Sequence, residues 1–309
     1  MAVKNGPRRR QVNVYFDFGR GGDYQTAVMS EPTPTLAALR REIDRLDEAM
    51  HDLLMLRARA VQGVAKAKAQ SGEPVLRPAR EAEVLRRLVA RHTGAFPKTA
   101  LVRLWREIMA GHVHIQTKFS FAVYAPSGQG ELVRLAHDQF GAATPSKRYD
   151  TASGVLSAVS DGQANVGILP MPGEEEADPW WPTLAGTERT TPRIVARLPF
   201  APFDARTGEA ALAIALIEQE PSGNDHSYVL METAGNLSRH AMTEALEAAG
   251  LPPAFLCNRS NGRGQIHLVE VADFVPPDDA RLARLSPVAH HAVVVGGYAV
   301  PFTAAEMGL

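Results

Sequence analysis

The chain has 309 residues, 45% of them apolar and 22% charged, with a formal net charge of −1 at pH 7. That length calls for two or three domains rather than one small core, and the composition is that of an ordinary soluble protein. The longest apolar runs, such as HAVVVGGYAVPF, fall short of a membrane span, and one cysteine, Cys257, excludes an intramolecular disulfide framework and fits a reducing, cytoplasmic setting.

Arg8, Arg9 and Arg10 lie near the amino terminus, but no apolar stretch follows them, so no secretory signal is read there. Residues 1–34 have no usable period and are expected to be a disordered extension, or one produced by a start that belongs at Met29. Beyond them charge is unevenly spread. Residues 35–118 hold sixteen Lys or Arg against nine Asp or Glu, and residues 119–309 hold twelve against twenty-two. A basic front region points to nucleic acid, a membrane surface or a small anion, and bulk charge does not choose among them.

From Pro34 to about Lys68 the apolar positions Leu36, Leu39, Ile43, Leu46, Met50 and Leu53 step by three and four in alternation, the seam of one long helix. Thr33 or Thr35 can cap it, and Pro34 suits its first turn. QSGEPVLRP breaks it. A second helix is predicted over about 78–92, with Val84, Leu85, Leu88 and Val89 buried, and a third over about 98–118, with Leu101, Leu104, Ile108 and Ile115 inward. Two short helices cannot cover a seam of about 50 Å, so a partner helix is expected.

After Lys118 the pattern becomes α/β. FSFAVY reads as a strand, GELVRLAHDQFG and TASGVLSAVSDG as helices, and ANVGILP as a buried strand. Residues 171–206, rich in Pro and Trp, read as irregular. EAALAIALIEQE is a strand. From His226 onward the predicted order is β-α-β-β-α-β, the ferredoxin-like arrangement, with DDARLARL as its short second helix.

Several polar residues stand where apolar ones would suit the core. Continuing the seam past Leu53 leads to Arg57, and Lys68 lies eleven residues on, within about 20° of the same face. Two cations on an apolar face are costly unless an anion meets them. An internal pair, for instance with Glu81, is the plainer alternative. Arg40 lies about 25 Å away along the same helix and is turned by about 100°, so it reaches the same small ligand only from a second, antiparallel chain. Arg80 and Glu81 fall in the first turn of the second helix, where Glu81 also suits the dipole. His112 and Gln116 are four apart on the third, on one face. The segment VLRPAREAEVLRRL gathers Arg77, Arg80, Arg86 and Arg87 at the mouth of the second helix, a crowd of positive charge that calls for an anion.

Taken together, LAALRREIDRLDEAMHDLLMLRARAVQGVAKAK, PVLRPAREAEVLRRL and LWREIMAGHVHIQ resemble the all-helical class of chorismate mutases over about Leu36 to Gln116. The resemblance implies an intertwined homodimer of three-helix chains that binds chorismate without metal or cofactor. It implies that Arg40 is given across the dimer, and that Arg57 and Lys68 meet the two carboxylates, Lys68 also reaching the ether oxygen. Glu81 then binds the ring hydroxyl, with Arg77 beside it. Gln116 is the second donor to the ether oxygen, and Arg80 helps shape the pocket. Where relatives tend to carry a small residue, this chain has His112. The rearrangement to prephenate needs no covalent catalyst and no proton transfer, only a compact dianion and fixed donors for charge growing on the ether oxygen. A neutral glutamine donor implies activity nearly flat across neutral pH.

Residues 119–215 resemble the dehydratase part of bifunctional mutase–prephenate dehydratases, through FAVYAPSGQGELVRLAHDQFG and VLSAVSDGQANVGILPMPGEEE. Its catalytic side chains are missing. Gly128-Gln129-Gly130 lacks the Thr and Ser that follow in the family, Gly173-Glu174-Glu175 stands where Asn and Ser belong, and no Thr-Arg-Phe occurs. Dehydratase activity is therefore expected to be absent. Residues 216–309 resemble an ACT-type amino-acid-sensing domain through ETAGNLSRHAMTEAL, which implies effector contacts at Gly235, Asn236 and Leu237. The alternatives are a bifunctional mutase/dehydratase, a non-catalytic aromatic-pathway sensor that keeps the mutase fold as a dimeriser, and a basic nucleic-acid binder. Interleaved Asp44, Asp47 and Glu48 and the lack of an aromatic platform weigh against the last.

Overall fold

The computed structural model describes residues 34–309, apart from 128, 129, 175, 177, 204–208, 236, 261 and 263. The expectations for the amino-terminal extension up to residue 33, for Gly128 and Gln129, for Glu175 and for Asn236 lie outside the described residues. The chain divides into two units after Leu53, within its first helix.

Helix α1 spans Leu36–Ser71. In the first unit it opens with Thr35 Oγ1 accepting from the Ala38 amide at 3.3 Å, and it carries an exposed Glu42–Arg45 pair at 2.6 Å. The apolar seam that defines the helix in sequence is open: Leu36, Ile43, Met50 and Leu53 are all more than half exposed.

In the second unit α2 spans Pro78–Arg91 and α3 spans Lys98–Gln116. Pro78 suits the first turn of α2, where its missing amide hydrogen costs nothing, and α2 buries Ala79, Ala82, Leu85 and Val89. The buried stripe of α3 is Val102, Arg106, Met109, His112 and Val113. This corrects the inward face read from sequence, since Leu104 and Ile115 are exposed. The buried stripe lies one residue, or about 100°, further round the helix, toward α2 and the next helix in the chain. Helix α3 thus has apolar residues on two faces, and this unit uses one of them.

The rest builds one sheet. Its elements in order are β1 (Phe121–Tyr124), α4 (Glu131–Phe140), β2 (Ser146–Tyr149), α5 (Ala152–Ser160), β3 (Val166–Pro170), a 3-10 turn at Trp181–Ala185, β4 (Arg193–Leu198) and β5 (Ala211–Ala215). Then come β6 (Asp225–Thr233), α6 (Arg239–Ala249), β7 (Pro253–Ser260), β8 (Gln265–Val271), a second 3-10 turn at Leu282–Leu285, β9 (His291–Ala299) and α7 (Ala304–Met307). The nine strands run in the order β2-β1-β3-β5-β4-β9-β6-β8-β7. β1 is parallel to β2 and β3, as βαβ crossovers require, whereas β5 runs antiparallel to β3 and β4. The last four strands, β9-β6-β8-β7, are antiparallel throughout, with α6 between β6 and β7.

Two strands escaped the sequence. β2 is the short polar stretch SKRY, with nothing apolar to alternate, and β4 lies inside the segment read as irregular. The predicted helix at DDARLARL is a 3-10 turn of four residues. The two halves of the sheet meet where β4 runs beside β9, at Ile194 and Gly296. Gly296 has φ +110°, and a Cβ there would sit 2.1 Å from the Ile194 carbonyl oxygen, so only glycine allows this join.

Helices α2 and α3 share their cores with the sheet. Leu76 and Val113 pack with Phe119, Phe121 and Phe140, and Ala82, Leu85, Val102 and Met109 pack with Phe200, Ala201 and Met307. Arg86 adds a polar tie: Nη1 donates to the Ser222 carbonyl and hydroxyl, and Nη2 to the Asn224 and Val300 carbonyls, all at 2.8–3.0 Å. No helix among the described residues is long and apolar enough to cross a membrane.

Candidate active site

Arg57 is half-buried on α1, and its guanidinium faces His112 of α3. Nη1 lies 2.5 Å from His112 Nδ1 and 3.2 Å from Nε2. His112 Nδ1 also touches the Ile108 carbonyl oxygen of its own helix. A carbonyl only accepts and a guanidinium only donates, so Nδ1 serves one of them at a time: protonated it bonds the Ile108 carbonyl, and unprotonated it accepts from Arg57. Among the described residues no carboxylate pairs with Arg57. Burial pushes its pKa down, and burial together with the Arg57 charge pushes that of His112 down.

A stability consequence follows from this contact. The folded state holds the His112 pKa below its ordinary value of about 6.5, so folding is favoured above that pH and weakened as pH falls through it. The thermal midpoint of the wild type should drop more steeply than that of His112→Ser between pH 7 and 5. Parallel curves would show that the imidazole titrates freely.

Gln116, one turn along, donates from Nε2 to the His112 carbonyl at 3.0 Å, while its Oε1 is buried without a partner among the described residues. It borders an open depression of about 590 Å³ that also includes His114, Lys118 and Pro145. Lys68 Nζ donates to the Pro74 carbonyl at 2.6 Å. Burial first and the nearby Arg77 second push its pKa down, and Glu73 and Glu220 oppose them.

Three of the four arginines at the mouth of α2 have protein partners. Arg77 Nε donates to both Glu220 oxygens, at 3.2 and 3.0 Å, and Arg80 pairs with Glu83 at 2.6 Å. With Arg86 bound to the backbone at 222–224, this charge docks α2 onto the loop between β5 and β6. Arg40 is exposed in the first unit.

Glu81 pairs with a cation of α3. Its Oε2 accepts from Arg106 Nη1 of α3 at 2.7 Å, an ion pair whose arginine is 3% exposed. Glu81 also lines a cavity of about 10 Å³, with Met109, Val113 and Gln139 among its walls, large enough for roughly one water. Arg106 was missed in sequence. The signal was present, because Val102, Arg106, Met109 and Val113 step by four, three and four, and Arg106 interrupts that stripe as Arg57 interrupts the seam of α1.

At the proposed effector loop the Leu237 amide donates to Gln265 Oε1 at 3.2 Å, and the Gly235 carbonyl accepts from Thr233 Oγ1 at 3.0 Å. Glu174 pairs with Arg239 at 2.6 Å.

Residues 39–117 match the family model for chorismate mutase type II. The helical stretch is thus a domain of that family, continued by a large mixed-sheet α/β region. The chain is 35% identical over 147 residues to the bifunctional chorismate mutase/prephenate dehydratase of Pseudomonas aeruginosa, a match covering 46% of this chain and 40% of that protein. It is 29% identical over 140 residues to the enzyme of the same description from Aquifex aeolicus, covering 44% and 38%. The chain spans about two fifths of the length of these relatives. Among solved structures, prephenate dehydratase from Streptococcus mutans overlaps 60% of this chain and 100% of its own, with a TM-score of 0.40 and 14% identity. A chain described as "GqqA- a novel type of quorum quenching acylases" overlaps 60% and 95%, with a TM-score of 0.45 and 17% identity. At those scores neither superposition supports a statement about chemistry.

Proposed function

We propose that the chain is a chorismate mutase that acts as a homodimer, converting chorismate to prephenate in aromatic amino-acid biosynthesis. The observation that carries this reading is the half-buried Arg57 guanidinium, which meets an imidazole and, among the described residues, no carboxylate. A cation withdrawn from water without a counter-ion is stabilised by an anionic ligand. Lys68 lies on the same helix face, and the match over residues 39–117 supplies the substrate class.

In this reading Arg57 and Lys68 meet the substrate carboxylates and, with Arg40 given across the dimer, hold the compact conformer in which the new bond forms. Lys68, and Gln116 once its amide swings from the His112 carbonyl, donate to the ether oxygen as its bond to the ring breaks. Glu81 accepts from the ring hydroxyl. The open seam of α1 and the second apolar face of α3 support association with a second copy.

Residues 119–215 act as a degenerate dehydratase-like segment without dehydratase activity, and residues 216–309 as an ACT-like unit. The antiparallel order β9-β6-β8-β7 around α6 supports the latter, and an aromatic amino acid is the proposed effector. The test is a turnover assay with purified full-length protein. Chorismate absorbance should fall, with prephenate and no phenylpyruvate as product. Stable chorismate removes the mutase reading, and enzymatic phenylpyruvate favours the bifunctional one.

A further inference from the structure

Among the described residues the Glu81 carboxylate is held through Oε2, which lies 2.7 Å from Arg106 Nη1 and leaves Oε1 to face another donor. Arg106 is in turn gripped by groups from the second half of the chain. Gln139 of α4, with its amide oxygen toward the guanidinium, accepts from Nη1 at 3.0 Å and Nη2 at 3.2 Å. A guanidinium donates and never accepts, so that amide orientation is the one the network requires. The ring of Phe200, just after β4, lies 5.1 Å from the guanidinium carbon. Neighbouring acids are engaged elsewhere: Asp138 of α4 pairs with Arg134 at 2.8 Å, and Glu107 of α3 accepts from the Ala142 amide at 3.0 Å. The charged group facing Glu81 is Arg106.

We infer that Arg106 is a positioning residue for the mutase site, and that α4 and the segment after β4 serve the reaction by holding it against Glu81. This rests on the mutase reading of Glu81. A region without dehydratase side chains then has a task in the first reaction: it forms the wall that keeps a buried carboxylate charged and aimed. Burial pushes the Glu81 carboxyl up, and Arg106 pulls it back. Without the guanidinium, the carboxyl takes up a proton and loses its fixed direction.

The test uses full-length Arg106→Gln and Arg106→Lys. The protonation midpoint of Glu81 is followed by carboxyl infrared difference spectra, assigned with Glu81→Gln, and kcat/KM for chorismate is measured against pH. Arg106→Gln should raise the midpoint by about 1–3 pH units, the effect of losing a close opposite charge. At pH 7 kcat/KM should fall roughly 10–100-fold, as when groups that orient a functional side chain are removed, and recover as pH rises through the new midpoint. Arg106→Lys should fall between the two, and it carries the test if the glutamine variant does not fold. A midpoint unchanged in the folded variants, or activity lowered equally at every pH, overturns the inference. Wild-type protein inactive toward chorismate overturns the mutase reading instead, and the infrared titration, which needs no substrate, tells the two failures apart.

Discussion

Lys68→Ala is expected to lower kcat for chorismate by about 10²–10³-fold, the usual cost of losing one fixed donor at a site of developing charge. In the proposed site the ammonium group gains most in the transition state, when the ether oxygen becomes negative. kcat and kcat/KM should therefore fall together, with KM changed far less. Lys68 is half-exposed near the end of α1 and bonds to the Pro74 carbonyl, so the melting temperature should change little. The measurement is initial rates of chorismate loss over a range of concentrations. An unaltered kcat would take Lys68 out of the site.

The second large effect concerns Arg40. Arg40→Ala and Lys68→Ala proteins should each be inactive alone, yet regain activity when unfolded together and refolded as a mixture. Random pairing makes half the dimers mixed, and each mixed dimer has one site with both native side chains, so about a quarter of wild-type activity should return. Sites built within single chains predict no recovery, because no chain would carry both residues.

The helical region was readable because its signals are long. Six seam residues in steps of three and four define α1, and the Arg57 and Lys68 interruptions are visible only against so regular a stripe. The face of α3 was misjudged for a physical reason. It has apolar residues on two faces, and sequence does not say which of them meets α4. The protein partners of Arg77 and Arg86 were not legible either, because Glu220 and the carbonyls of Ser222 and Asn224 reach these arginines from more than 130 residues away, beyond any local pattern. β2 and β4 were lost for further reasons. β2 is short and polar and is specified by its neighbour β1 more than by its own residues. The apolar core of β4, RIVARL, is hidden within a segment whose Pro and Trp content reads as irregular.

The nine-stranded sheet has two rims, and both carry features that resist further strands. On one side β2 presents exposed Ser146, Lys147 and Arg148; on the other β7 begins at Pro253 and ends in exposed Asn258, Arg259 and Ser260. Charged side chains and a proline on a rim discourage a neighbouring molecule from zipping on through its backbone. Growth of this protein into ribbons is thereby opposed at both margins, which leaves the proposed pairing of two copies to side-chain packing between helices.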